Sequence, residues 1–279
     1  MNALEFSLWV WLGSAVAGFL GALTGLGGGV VLVPLLTLLF KVDIRYGIGA
    51  SLVSVIATSS GAAAAYVKEG FSNIRIGMFL EIATTLGALM GAYLATQISA
   101  GAIAIVFGLV LIYSAYLSAR RQEHNQGAPP QDALSAKLRM SSTYPTATGL
   151  QHYDVTHVPA GFGLMLGAGT LSGLLGIGSG AVKVLAMDNI MRVPFKVSTT
   201  TSNFMIGVTA AASAGLYLSR GFVDPALAMP VMLGVLAGSF LGSKVLMKAR
   251  VDLLRWIFAT VIVVMGIEMI YNGFTGRLR

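Results

Sequence analysis

The chain contains no cysteine, so disulfides, thiolate chemistry and cysteine-ligated metals are all excluded. Charge is scarce as well. Only 10% of the 279 residues are charged, against about 25% in a soluble domain. So few charges cannot cover a water-exposed surface. With 56% hydrophobic residues and a mean hydropathy of +0.80, the solvent for most of the surface is lipid. Acid is the scarcer sign, with 11 Asp and Glu against 18 Lys and Arg and a net charge of +7. A basic excess can signal nucleic acid, but these residues stand mostly at the ends of apolar runs, where the positive-inside rule places them. No nucleic-acid partner is expected. The three histidines, His124, His152 and His157, lie in or beside one polar stretch. Its "HYDVTH" lacks metal-motif spacing and reads as a solvated loop. The opening "MNALEFSLWVWLG" has neither the basic n-region nor the cleavage pattern of a signal peptide and reads as the start of a first membrane helix.

Apolar runs long enough for a bilayer, about 20 residues, are Ser7–Thr24, Gly47–Val67, Ile74–Ile98, Ala100–Ser118, Val158–Leu175, Val197–Ser219, Ala226–Leu246 and Leu253–Asn272. Two shorter runs, Val30–Phe40 and Ala181–Met191, follow directly on glycine clusters. Residues 119–157 are polar, contain Pro129, Pro130 and Pro145, and read as a flexible extramembrane linker with a short amphipathic helix near Ala133–Met140. The chain therefore divides into residues 1–118, the linker 119–157 and residues 158–279.

The outer two parts are copies. Sliding the chain by 151 residues places Gly25, Gly27 and Gly29 on Gly176, Gly178 and Gly180, and Ser51 on Ser202. In the same ungapped register Thr58 meets Thr209, Tyr66 meets Tyr217, Gly70-Phe71 meets Gly221-Phe222, and Gly87 and Gly91 meet Gly238 and Gly242. Loop charges bear on orientation. If the chain turns back at each glycine cluster, the halves are inverted and one side collects twelve of the extramembrane Lys and Arg residues, the other five. If each cluster lies within one crossing, the split is nine to eight. The expected fold is thus an all-α polytopic membrane protein of two inverted repeats, each with four full spans and a short broken or re-entrant helix. The linker is expected in the cytoplasm, with Lys41 and Arg45 awkward on the less basic face.

Irregular backbone at membrane depth survives only when buried in protein or lining a cavity, and inverted-repeat transporters use it to bind substrates. Gly25, Gly27, Gly28 and Gly29, with Gly176, Gly178, Ser179 and Gly180, are candidates to expose backbone N–H groups to an anion. The alternative use of such glycines is close helix packing. Lys183, three positions after Gly180 and opposite Leu32 of the first half, is an intramembrane cation and a candidate to add charge there. Otherwise it snorkels, or pairs with Asp188 five residues on. Thr201, Ser202 and Asn203 in "STTTSNF", with Ser51 in the first half, are candidate neutral donors. Their alternative is hydrogen bonding between helices. Glu81 and Asp188 are candidates for proton coupling. Glu81 and Glu268 lie within a few turns of a predicted helix end, which favours the interface. No triad, zincin motif or Walker loop is present, so neither enzyme activity nor a cofactor or metal is expected.

The paired segments "GFLGALTGLGGGVVLVPLL" and "GTLSGLLGIGSGAVKVLAM" resemble the sulfite exporter TauE/SafE family. So do "KVDIRYGIGASL", "RVPFKVSTTTSNFMIG", "GALMGAYLA" and "GSFLGSKVL". The resemblance covers nearly all of the chain outside the linker. It implies an inner-membrane permease without an ATPase, for sulfur-containing anions such as sulfite, sulfoacetate or related organosulfonates. The expected function is a secondary transporter, working most readily as an exporter. A passive anion channel and a proton-coupled uptake permease are the rivals. The expected partners are the anion, the lipid bilayer and, as a further candidate, a second copy of the chain.

Overall fold

Along one long helix a row of large apolar side chains faces outward, where water would select polar ones, and glycine and alanine recur on the inner side. The computed structural model describes residues 3–24, 28–68, 72–119, 132–146, 149–246 and 251–276. In it, α4 (Ile74–Gln97) exposes Met78, Ile82, Leu86, Leu89 and Tyr93 at helical spacing. Its buried side carries Gly77, Ala83, Gly87, Ala88, Gly91 and Ala92. Lipid accepts the first face, and the second lets helix backbones approach closely.

The remaining elements are α1 (Ala3–Thr24), α2 (Gly29–Pro34), α3 (Ile44–Lys68), α5 (Ala100–Ala119), α6 (Ala133–Lys137), a hairpin of β1 (Ser142–Thr146) and β2 (Gly149–Tyr153), α7 (Val158–Leu175), α8 (Gly180–Leu185), α9 (Phe195–Ser219), α10 (Pro225–Leu246) and α11 (Val251–Phe274). Stretches of α1, α4, α7 and α10 are long and apolar enough to cross a membrane, and shorter apolar helical stretches occupy Gly29–Leu39, Ala100–Tyr116 and Thr260–Phe274. This is a multi-pass, all-α membrane protein. The helices α3 and α9 are longer still at 25 residues each, but richer in Ser and Thr. They pack against each other inside the bundle.

The contacts recur at the 151-residue offset. Helix α1 packs along α10, and its counterpart α7 packs along α4. A Cβ on Gly18 would collide with the Val235 carbonyl, and one on Gly169 with that of Thr84, a pair of contacts in register. Gly87 and Gly91 abut Leu166 and Thr170, so α4 and α7 run parallel. Gly101 sits beside Gly273 and Gly108 beside Gly266, so the equivalent helices α5 and α11 run antiparallel. Asn73 meets Thr201 and Glu81 meets Thr209, which makes α4 parallel to α9 as well. Since α7 and α9 then run the same way, α8 must carry the chain back between them.

Both short helices continue into a π-helical turn, Leu35–Leu39 after α2 and Ala186–Ile190 after α8. Proline is not the cause, because Pro34 has Leu185 as its counterpart. After each turn one residue takes a left-handed conformation, Lys41 and Arg192, both at φ 55°. Matching bonds close the corners, Val42 N to Leu36 O at 3.1 Å and Val193 N to Met187 O at 2.9 Å. Arg45, the awkward cation of the less basic face, has a structural use. Its guanidinium donates to Ala95 O at 3.3 Å and Ile98 O at 2.8 Å, capping the C-terminus of α4, and stacks over Phe222.

The linker differs from its expectation. Residues 132–146 and 149–157 are built into the fold, while residues 120–131 and 147–148 lie outside the described residues. Helix α6 is shorter than expected, and β1 pairs antiparallel with β2, Ser142 opposite Tyr153. Met140, Tyr153 and Val155 are buried against Ile76, Leu80, Met187, Met191 and Val193. The stretch reads as polar on average, but these apolar side chains are spaced so that one face docks. Burial pushes the Tyr153 phenol up, with the Asn73 side chain partly opposing.

Candidate substrate site at the glycine turns

Helix α7 ends because its chain turns left-handed. Gly176 and Gly178 have φ of 67° and 68°, where any side chain would be strained. Ser179 follows at φ 41°. Gly176 N–H donates to Ser172 O at 2.8 Å, and Tyr217 Oη on α9 donates to Gly173 O at 3.1 Å. The last link comes from the other half. Ser51 Oγ on α3 donates to Gly176 O at 2.7 Å. Gly29 lies against the same carbonyl, where a Cβ would stand 2.9 Å from Gly176 O and 2.7 Å from Ser51 Oγ. The end of the first glycine cluster therefore abuts the second turn. Gly25 and Gly27 lie outside the described residues. Gly28 caps α2, its carbonyl accepting from Leu32 N at 3.0 Å. Beside the turns is a narrow cleft between Val30, Ser114, Leu171, Ser179 and Gly180, with room for about one water molecule.

The neutral donors point at backbone in this conformation. Ser179 Oγ donates to Ala168 O at 2.5 Å and Ser202 Oγ to Gly180 O at 3.3 Å. Of the three acceptors, only the Gly176 carbonyl reached by Ser51 lies at a helix end, where no intrahelical partner exists; Ala168 and Gly180 lie inside α7 and at the start of α8. The Thr201 hydroxyl accepts from Asn73 N at 3.0 Å and so ties α9 to the start of α4. Asn203 is half-buried on α9, and its side chain makes no hydrogen bond to a described residue.

Lys183 is fully buried, away from both water and the interface. Its Nζ donates to Thr209 Oγ1 at 2.6 Å. Thr209 Oγ1 in turn lies 2.6 Å from Glu81 Oε1 and 2.8 Å from Met205 O. A hydroxyl has one hydrogen, so Thr209 donates to one of the two at a time. Thr85 Oγ1 also donates to Glu81 Oε1, at 3.1 Å. Oε2 of Glu81 is buried with no partner among the described residues. Two readings from the sequence are corrected here. Glu81 does not face outward; it is 7% exposed and sits inside the bundle. The acid that Lys183 reaches, through Thr209, is Glu81 rather than Asp188. Asp188 is buried on the π-helical turn, while Glu268 is exposed on α11. Burying either charge alone is costly, so lysine and carboxylate neutralise each other across the two halves.

The missed partner had a signal. In the 151-residue register Lys183 falls on Leu32, Thr209 on Thr58 and Glu81 on Met232. Both charges of one half-site are replaced by apolar residues in the other. There, Thr58 simply bonds back to Ser54 O at 3.0 Å. Among the described residues no cluster of three metal-ligating side chains occurs. His152 stands exposed, 3.4 Å from Asp154.

Comparison with known proteins fits this architecture. The family described as "Sulfite exporter TauE/SafE" matches residues 10–269, which spans both glycine turns and the Lys183–Thr209–Glu81 link. The chain belongs to the TauE/SafE family. Similar relatives of this TauE/SafE protein include the probable membrane transporter protein YunE of Bacillus subtilis strain 168. It is 28% identical over 97% of this chain and 99% of its own. A probable membrane transporter protein of Xylella fastidiosa strain 9a5c is 25% identical over 96% and 97%. The probable membrane transporter protein MJ0441 of Methanocaldococcus jannaschii is 24% identical over 91% and 92%. No solved structure matches. This TauE/SafE protein is therefore a membrane transporter.

Proposed function

We propose that this protein is a secondary transporter that exports a small sulfur-containing anion, sulfite or an organosulfonate such as sulfoacetate, across the bacterial inner membrane. The observation that carries the reading is the meeting of two broken helices from opposite halves, Gly29 against Gly176, with the buried cation Lys183 three residues beyond Gly180. The substrate class is supported by the family description. Alternating access would rock one half against the other about these turns. Antiparallel packing of the equivalent helices α5 and α11 supports inverted halves. The twelve-to-five division of Lys and Arg supports a cytoplasmic linker. An anion leaving a negative interior gains about 2.3 kcal/mol per charge per 100 mV, so export of a bare anion needs no pump.

The cleft beside the turns has room for about one water and no more, which favours a transporter over an open channel. Proteoliposome flux of radiolabelled sulfite, sulfoacetate, thiosulfate and sulfate tests the reading. Saturation and counterflow are expected for at least one sulfur anion. Flux that never saturates would make the protein a channel, and absence of flux for all four anions would remove the substrate class. Cysteines placed in the linker of this cysteine-free chain should label only from the cytoplasmic side.

A further inference from the structure

We infer that Lys183 exchanges the Glu81 carboxylate for the transported anion, so that each anion enters the site together with one proton, which Glu81 takes. This rests on the transporter reading above and adds its coupling; a dianion such as sulfoacetate then still carries one net negative charge out of the negative interior.

The inference starts from charge. The Lys183–Thr209–Glu81 group is neutral as a whole and sealed, Lys183 at 0% and Glu81 at 7% exposure. Bringing an anion to Lys183 leaves two negative charges on one positive, in a site without water to screen them. A proton on Glu81 restores neutrality. Among the described residues of the helices packed on the pair, no other charge is placed to do so. Helix α7, which packs on α4, has no titratable side chain, and those of α9 are Lys196 and Tyr217 near its ends. On α4 itself Arg75 and Tyr93 are exposed. Asp188 lies on the turn after α8, while Lys183 and Glu81 are joined to each other through Thr209.

The hydrogen bonds can carry the change with no more than a half-turn of the Glu81 carboxyl, which brings an oxygen protonated at the Oε2 position into the Oε1 position facing Thr209. With Glu81 ionised, Lys183 donates to Thr209 and Thr209 donates to Oε1. With Glu81 protonated, its Oε1–H donates to Thr209, and Thr209 turns its own hydrogen to Met205 O, 2.8 Å away. Lys183 Nζ then loses its carboxylate counterion and is available to an anion oxygen. The unpartnered Oε2 is where a proton can arrive without breaking an existing bond. No covalent bond is made other than O–H on Glu81, which breaks again when the anion leaves. The other half holds Leu32 and Met232 at these positions, so there is one such exchange per molecule and one proton per anion.

The test measures binding of sulfate, thiosulfate and sulfoacetate to the full-length protein by calorimetry, from about pH 6 to about pH 9, where these anions keep their charge. In the wild type the Kd is expected to rise about tenfold per pH unit over at least part of the range, with one proton taken up per anion. In Glu81→Gln combined with Lys183→Arg the Kd should be independent of pH and, at the alkaline end, at least about tenfold tighter than in Lys183→Arg alone. Loss of the Lys183 charge at high pH could imitate the slope, so Lys183→Arg, which does not titrate, is the control and should keep it. Infrared difference spectra of the wild type with and without anion should show a protonated-carboxyl band, which needs no variant to fold. Anion binding with neither band nor proton uptake would overturn the coupling while leaving the transporter reading intact. No binding of any of the three, with no flux of sulfite either, would overturn the anion reading and this one with it.

Discussion

Asn73 is the point where linker, α4 and α9 are tied together, and its removal has a size that can be worked out. Its side-chain oxygen accepts from Ile76 N at 3.1 Å and so caps α4. Its amide nitrogen donates to Met140 O at 2.9 Å and to Tyr153 Oη at 2.7 Å. Asn73→Ala deletes all three. Loss of the cap costs about 1 kcal/mol, and each of the other two bonds about 1 kcal/mol, for about 3 kcal/mol in total. Asn73→Asp separates the contributions. The carboxylate keeps the cap and can accept from Tyr153, but it turns an acceptor toward the Met140 carbonyl. It should therefore sit between wild type and Asn73→Ala. The loss is local, so thermal unfolding in detergent should be accompanied by faster hydrogen exchange at residues 140–155 than at the α5–α11 contact. If Asn73→Ala left melting and linker exchange unchanged, the linker would not be held by this residue and its docking through Met140, Tyr153 and Val155 would have to stand alone.

Other outcomes follow from the same contacts. Lys183→Met should destabilise the protein by about 3–5 kcal/mol by stranding a buried carboxylate, and Lys183→Met combined with Glu81→Gln should recover much of that; a double-mutant cycle of melting curves measures the coupling. Gly169→Leu should force α7 off the Thr84 carbonyl and cost at least about 3 kcal/mol. Gly167→Leu, where nothing lies within 4 Å, should change stability by no more than about 0.5 kcal/mol. Tyr153 titrates above its ordinary value because it is buried. The stability it contributes is therefore complete below about pH 10 and is lost as pH rises beyond it. Tyr153→Phe should flatten that alkaline limb of the melting profile.

The parts of this fold that are legible in the sequence are those that repeat. The 151-residue register anticipates which glycines pack, since Gly18 and Gly169, or Gly87 and Gly238, meet equivalent carbonyls. It also anticipates the two short helices after the glycine turns. What escaped is what crosses between the halves or breaks the register. Reading locally, Lys183 has Asp188 as its nearest acid, whereas its true partner is Glu81, on a helix brought alongside by the packing of α4 on α9. Ser51 and Ser202 look like ligand donors because hydroxyls at depth need partners, and only the fold reveals that the broken helices supply carbonyls for them. The docked linker was hidden because its composition is polar, while three apolar side chains suffice to seat it.

The exchanged packing of α1 on α10 and α4 on α7 also sets a timetable for assembly. At about 5–20 residues per second, α4 waits for about 60 further residues, some 3–12 s, before α7 begins, but α1 waits for about 200, some 10–40 s, before its partner does. During that interval the glycine-lined face of α1 is open in the bilayer, and the most similar surface within reach belongs to α4, the equivalent of its proper partner. Helix direction guards against that error, because α4 runs opposite to α1 and cannot meet it in the parallel register that α10 uses. Keeping this face of α1 covered until α10 is made is thus a problem of membrane insertion that the duplication itself creates.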